Sequence, residues 1–187
     1  MKAVVLAGGK SSRMGQDKAL LMLGEKVIIQ RILDVVSTVF DEVYISGNRV
    51  AYQSFSKNII EDKIIDKGPM GGIYSALEFL KEDVFVCSCD MPFISNDMIR
   101  NMLNKKQEDK INTLKYKDRI YPVFGIFPYS VLNVLKDSLL KDKLKMTSFL
   151  ETQKAHYIEI EKESENHFLN INTPENFEKA QTIFKQL

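Results

Sequence analysis

The chain has 187 residues, 26 Lys and Arg against 25 Asp and Glu, a formal net charge of +1, and 44% hydrophobic content. That length suits one domain with a substantial core, and the near-neutral balance excludes a global field that would draw the chain to nucleic acid or a membrane surface. No apolar run approaches the roughly 20 residues that span a bilayer, the N-terminus lacks a signal-peptide pattern, and two cysteines make no disulfide framework, so the expectation is one cytoplasmic domain over 1–187.

The first element is the apolar run Ala3-Val4-Val5-Leu6, a buried strand by its β-branched content and its glycine stop. Gly8, Gly9, Lys10, Ser11, Ser12, Arg13, Gly15 and Lys18 follow. Glycine at a strand end lets the backbone approach a ligand closely, and successive N–H groups in such a turn can cradle phosphate oxygens. Arg13 and Lys18 add the charge that a triphosphate requires. On the glycines alone the segment also reads as an ordinary turn. The P-loop spacing and the dinucleotide fingerprint G-x-G-x-x-G are both absent, so a nucleotide bound here is held in another way.

Val27, Ile28, Ile32, Leu33, Val36 and Val39 recur at helical spacing and predict a helix packed on a sheet. A strand over 42–46 ends in Ser46-Gly47-Asn48-Arg49, and a short strand over 58–60 leads to Glu61 and Asp62. Lys67-Gly68-Pro69-Met70-Gly71-Gly72 reads as a turn opening a helix over 73–80. It is either a plain tight turn or a place where free backbone N–H groups meet a ligand. Val84 to Cys89 is an apolar, central strand that puts Cys87 and Cys89 on one face as buried, unpaired thiols. Asp90 follows, where open α/β sheets bind ligands, or else as a cap for the helix beginning near Ser95 and Asn96.

Strand and helix alternate to this point, which argues for a mainly parallel sheet. Strands over 111–116 and 120–127 flank the polar turn Lys117-Asp118-Arg119 as a hairpin, with Pro122 marking an edge or an interruption. Helices are expected over 129–139 and 146–152, a solvated loop over 141–145, and strands over 156–160 and 168–171. Thr173 caps a last helix with Pro174 in its first turn, and Phe177, Ala180, Ile183, Phe184 and Leu187 form its apolar stripe.

Three loops thus converge on one sheet edge: the glycine turn with Arg13 and Lys18, the segment 68–72, and Asp90. Amides and cations neutralise a triphosphate, and a carboxylate can hold the magnesium ion that bridges its oxygens. Phosphoryl chemistry of this kind runs on positioning and charge stabilisation and needs no protein nucleophile.

LAGGKSSRMGQDK resembles the signature L-A-G-G-x-x-x-R-M-G-x-x-K of the molybdenum cofactor guanylyltransferases, the MobA family. GPMGGIYSAL is similar to that family's G-P-L-A-G-[IM]-x-[ST]-A-[LM], CDMPF to its C-D-x-P-[FY], LNINTPEN to its N-x-N-T-P-E, and Ile60-Glu61-Asp62 to its I-x-D. Related sugar-nucleotide and cytidylyl transferases more often read L-A-A-G-x-G-x-R at the first place. The resemblance implies a Rossmann-like, three-layer nucleotidyltransferase (GT-A-like) fold. It implies that GTP and molybdenum-molybdopterin react, with Mg2+, to give the guanine dinucleotide cofactor and pyrophosphate.

Carried over by position, Leu6, Ala7, Gly8 and Gly9 lie at the nucleotide, Lys18 at its phosphates and Asp62 at the guanine or ribose. Asp90 ligates magnesium, Arg13 stabilises the leaving pyrophosphate, Asn172 and Asn170 lie near metal and pterin, and Ser46 stands at a further polar nucleotide contact. Passing contact with cofactor-biosynthesis proteins or acceptor molybdoenzymes is the expectation for protein partners. Two features depart from the family pattern: GPMGG replaces GPLAG, and 111–127 matches only through Pro122-Val123 and Phe127. The rival readings are a CTP-using molybdenum cofactor cytidylyltransferase, a sugar-phosphate nucleotidyltransferase, or a non-catalytic nucleotide-binding protein.

Overall fold

Alternation along the first strand decides the layering. Of the buried residues in β1 (Lys2–Leu6), Ala3 and Val5 belong to one apolar cluster and Val4 and Leu6 to another, on opposite faces. The computed structural model describes residues 1–8, 17–160 and 164–186. Its further strands are β2 (Met22–Leu23), β3 (Lys26–Val27), β4 (Val43–Ser46), β5 (Ile59–Ile60), β6 (Val84–Ser88), β7 (Asn112–Tyr116), β8 (Arg119–Phe127) and β9 (His156–Glu159). The helices are α1 (Ile28–Val36), α2 (Arg49–Tyr52), α3 (Gly68–Leu80), α4 (Asn96–Lys105), α5 (Leu132–Leu140), α6 (Met146–Thr152) and α7 (Pro174–Phe184).

Helices α1, α4 and α7 bury their apolar stripes with Ala3, Val5, Phe85 and Cys87; α3, α5 and α6 bury theirs with Val4, Leu6, Val84 and Val86. The result is three layers, helix–sheet–helix, as expected. α1 shows the local logic. Ile28, Ile29, Ile32, Leu33 and Val36 are its buried residues, while Lys26 and Gln30 both reach Asp34 on its exposed side, at 2.6 and 2.8 Å.

The main sheet has the order β5-β4-β1-β6-β8-β7-β9. β1 pairs in parallel with β4 on one side and β6 on the other, β5 extends the parallel part, and β8 runs antiparallel to both β6 and β7. The chain fills one side of β1 and then crosses to the other, so the loops after β1, β4 and β6 diverge at a topological switch point.

Several expectations change in detail. The segment 68–72 is no turn preceding a helix: Gly68 opens α3, and Met70 to Leu77 are buried within it. Pro122 is not on an edge, since β8 lies between β6 and β7. It falls where the β7–β8 register jumps from Thr113↔Gly125 to Leu114↔Tyr121, so it marks an interruption. Residues 168–171 form no strand. A 3-10 turn covers Glu165–Phe168, and the Ile171 N–H makes one bond, 2.8 Å, to the carbonyl of Asp90. The pair β2–β3 is too short to have left a periodic signal. Leu187 lies outside the described residues, and among those described no helix is long and apolar enough to cross a membrane.

Candidate functional site

The end of β1 sits in a lattice of backbone bonds that fixes three loops together. Ala7 N–H donates to Ser46 O at 2.8 Å, Gly47 N–H to Ile60 O at 3.0 Å, and Cys89 N–H to Leu6 O at 3.0 Å. Gly47 is required by this closeness: with φ +159, a Cβ there would sit 1.9 Å from the Ala7 carbonyl oxygen. Gly8, at φ +145, faces the Gly47 backbone. Two bare backbones therefore line the floor where the first turn leaves the sheet.

Above that floor lies a cleft of about 670 Å³, lined among others by Leu6, Ala7, Gly8, Asp62, Gly72 and Ser88. Its size falls in the range of ligand pockets, roughly 300–1,000 Å³. Leu6, Ala7, Gly8 and Asp62, four of the residues assigned to the nucleotide, share this one cleft. Ser46 Oγ donates to Asp62 Oδ1 at 3.2 Å. Desolvation raises the Asp62 carboxyl above its ordinary range, opposed by the Ser46 hydroxyl, although the residue as a whole keeps solvent access. Glu61 and Asp66 add carboxylates to the same wall.

Ser88, in the wall of the cleft, leads to Asp90, whose N–H lies 3.5 Å from Ser88 Oγ, and Asp90 in turn meets Lys18. Lys18 Nζ donates to Asn172 Oδ1 at 3.0 Å and lies 3.9 Å from Asp90 Oδ2, with both charged side chains about 20% exposed. Asn172 is held close by the Ile171–Asp90 backbone bond, so residues 154 positions apart meet at one point. Asp90 is not a helix cap. Ser95 takes that place, accepting from Met98 N–H at 3.1 Å.

Cys89 lies under this group, with Gly8 N–H directed at its sulfur. Burial, reinforced by the Asp90 charge, pushes its thiol up to about 12, so it stays protonated and is no nucleophile. Both cysteines are buried and free, as expected.

A second cavity, about 620 Å³, opens between the β7–β8 hairpin and the segment leading into α7. Phe168 stacks on Tyr116 at 3.8 Å and lies 5.4 Å from Tyr121, and Arg119 sits over the Tyr121 ring. Asn170 and Asn172 both line it, and Asn170 Oδ1 is buried with no hydrogen-bond partner. Asn172 thus belongs to this cavity and to the Lys18–Asp90 group at once.

Gly9 and Arg13 fall outside the described residues. Sequence reasoning missed Asp17 and Tyr52. Asp17 Oδ1 accepts from Ala19 N–H at 3.0 Å and Oδ2 from the Tyr52 hydroxyl. An Asp directly before Lys18-Ala19-Leu20 carried a local capping signal; its bond to Tyr52 did not.

The chain matches a family model described as the MobA-like NTP transferase domain over residues 3–157. It is 33% identical over 190 residues to a probable molybdenum cofactor guanylyltransferase of Carboxydothermus hydrogenoformans, covering 98% of this chain and 96% of that one. A protein of the same description from Clostridium perfringens is 34% identical, covering 94% and 93%. The crystal structure of molybdopterin-guanine dinucleotide biosynthesis protein A from Archaeoglobus fulgidus superposes with a TM-score of 0.85 at 25% identity over the full length of both chains.

Proposed function

The chain belongs to the MobA-like nucleotidyltransferases, the family of the molybdenum cofactor guanylyltransferases, and from that premise we propose that it transfers GMP from GTP to molybdenum-molybdopterin, releasing pyrophosphate. The observation that carries this reading is the meeting of Lys18, Asp90 and Asn172, with Asn172 lining an aromatic, amide-lined cavity and Asp90 two residues from Ser88 in the cleft of the candidate nucleotide residues.

In this reading GTP lies in the first cleft. The backbone amides after β1 and the Lys18 ammonium take the triphosphate, and Arg13 adds charge at the leaving pyrophosphate. The carboxylates around Asp62 face the base end, where guanine presents N1–H and an amino group as donors. They also repel phosphate, so the wall orients the nucleotide as well as binding it. The pterin enters the second cavity against Tyr121 and Phe168, where Asn170 and Asn172 form part of the wall. A phosphate oxygen of the acceptor then bonds to the α-phosphorus as the bond to pyrophosphate breaks. Positioning and charge neutralisation supply the rate, with no covalent protein intermediate.

The donor set suits Mg2+. Asp90 offers a half-buried carboxylate and Asn172 an amide oxygen, both hard ligands, and magnesium carried with substrate phosphates needs only one or two protein carboxylates. Among the described residues no cluster of three His, Cys, Asp or Glu side chains offers a complete cage. When bound, it would screen the charge on the transferring phosphates.

Asp90→Ala tests the assignment. Turnover is expected to fall by about a thousandfold or more, while GTP still binds through the cleft on the other side of Ser88. Turnover unchanged in this variant would remove Asp90 from the mechanism.

A further inference from the structure

Lys18 projects from a three-residue 3-10 turn, Lys18–Leu20, which is too short to hold its own direction. What holds that turn is the residue before it. Asp17 uses one carboxylate oxygen to cap the turn through Ala19 N–H and gives the other to the hydroxyl of Tyr52, 35 positions later. Ala19 is fully buried and Tyr52 is 1% exposed, so this bond lies beneath the surface that substrate would touch.

Tyr52 is itself fixed. It ends α2, directly after the Ser46-Gly47-Asn48 turn, and its ring lies against Gly47 so closely that a Cβ there would come within 2.8 Å of Cε2. Through Gly47 the ring is registered to the same backbone lattice that ends β1. A rigid chain of contacts therefore runs from the floor of the nucleotide cleft through Tyr52 and Asp17 to Lys18. Burial, with the neighbouring Asp17 charge, raises the phenol well above its ordinary range, so Tyr52 remains a proton donor under all working conditions.

We propose that the Tyr52–Asp17 hydrogen bond is a positioning device for Lys18, aiming its ammonium at the triphosphate without itself touching substrate. This rests on the phosphate-binding role given to Lys18 above. Lys18 is a flexible point charge on a four-carbon stem, and a shift of its anchor by an ångström moves it out of register with phosphates that a fixed floor holds in place.

A double-mutant cycle on GTP affinity tests the device, using Tyr52→Phe, Lys18→Ala and the pair, with magnesium, well below each variant's melting midpoint. Tyr52→Phe keeps the buried ring and removes only the hydroxyl. It is expected to weaken GTP binding about tenfold alone and less than about twofold in the Lys18→Ala background, because positioning has no value once the ammonium is gone. Asp17→Ser, which keeps a capping oxygen but is too short to hold the Tyr52 hydroxyl, is expected to repeat this pattern and serves if Tyr52→Phe fails to fold. Equal losses in both backgrounds would overturn the proposal and reduce Tyr52 to a packing residue, as would no loss in either. If Lys18→Ala alone left affinity unchanged, the role of Lys18 would fall and the device with it. Additive losses would overturn the device and leave Lys18 standing.

Discussion

Gly72 leaves room for the Ser46 hydroxyl, which in turn holds Asp62. A Cβ on Gly72 would sit 2.9 Å from Ser46 Oγ and 3.1 Å from Leu6 Cδ2. Alanine there gains about 1 kcal/mol of helix propensity against roughly 1–3 kcal/mol of crowding, so Gly72→Ala is expected to cost between nothing and about 2 kcal/mol of stability. Its effect falls on Asp62, with GTP affinity dropping about tenfold as a hydrogen bond to a charged group is lost. Thermal melting and GTP titration of the same variant separate the two. Asp62 also predicts a pH dependence. Burial raises its carboxyl above the ordinary aspartate range, and only the ionised form can accept both guanine donors at once, one on each oxygen. As pH falls, Asp62 takes its proton sooner than an exposed aspartate would, so affinity should decline on acidification earlier and more steeply than in Asp62→Asn. Identical profiles for the two proteins would show that Asp62 does not read the nucleotide.

At the scale of elements, the loop after β5 is pinned to α3 by one buried hydroxyl. Ser75 Oγ accepts from Lys63 N–H and donates to Gly71 O, both at 2.9 Å. Ser75→Ala leaves the Lys63 N–H without that acceptor and is expected to cost about 1–3 kcal/mol, measurable by denaturant unfolding, and to loosen GTP binding as the Asp62 loop drifts. Such links separate what the sequence makes visible from what it hides. β1, α1, β4, β6 and α7 are legible because each carries its period or its cap within a few residues. The start of α3 is not: Gly68-Pro69-Met70-Gly71-Gly72 has the local chemistry of a turn, and the burial of Met70, Gly71 and Gly72 against the sheet outweighs it. Phe168 and Ile171 look like strand residues, yet one stacks on Tyr116 and the other bonds a single carbonyl. Motif resemblance singles out Asp62, Lys18 and Asp90 as candidate site residues, whereas the Tyr52–Asp17 bond exists only in three dimensions.

For the whole molecule, the switch point beside β1 brings two cavities near one cation–carboxylate–amide group, and the proposed reaction assigns the donor nucleotide to the first and the acceptor to the second. Saturating GTP should stabilise the fold by about 2.7 kcal/mol at a hundredfold excess over its dissociation constant, raising the melting midpoint by roughly 5–10 °C for a chain of this size. ATP should give less, since adenine lacks the N1–H that the carboxylate wall favours. The most direct measurement of the central claim is pyrophosphate release from GTP, ATP and CTP with magnesium, each with and without molybdenum-molybdopterin. Release from GTP alone, and only when the pterin is present, is the result expected of a molybdenum cofactor guanylyltransferase. Release from CTP in place of GTP, or from GTP without the pterin, would contradict it.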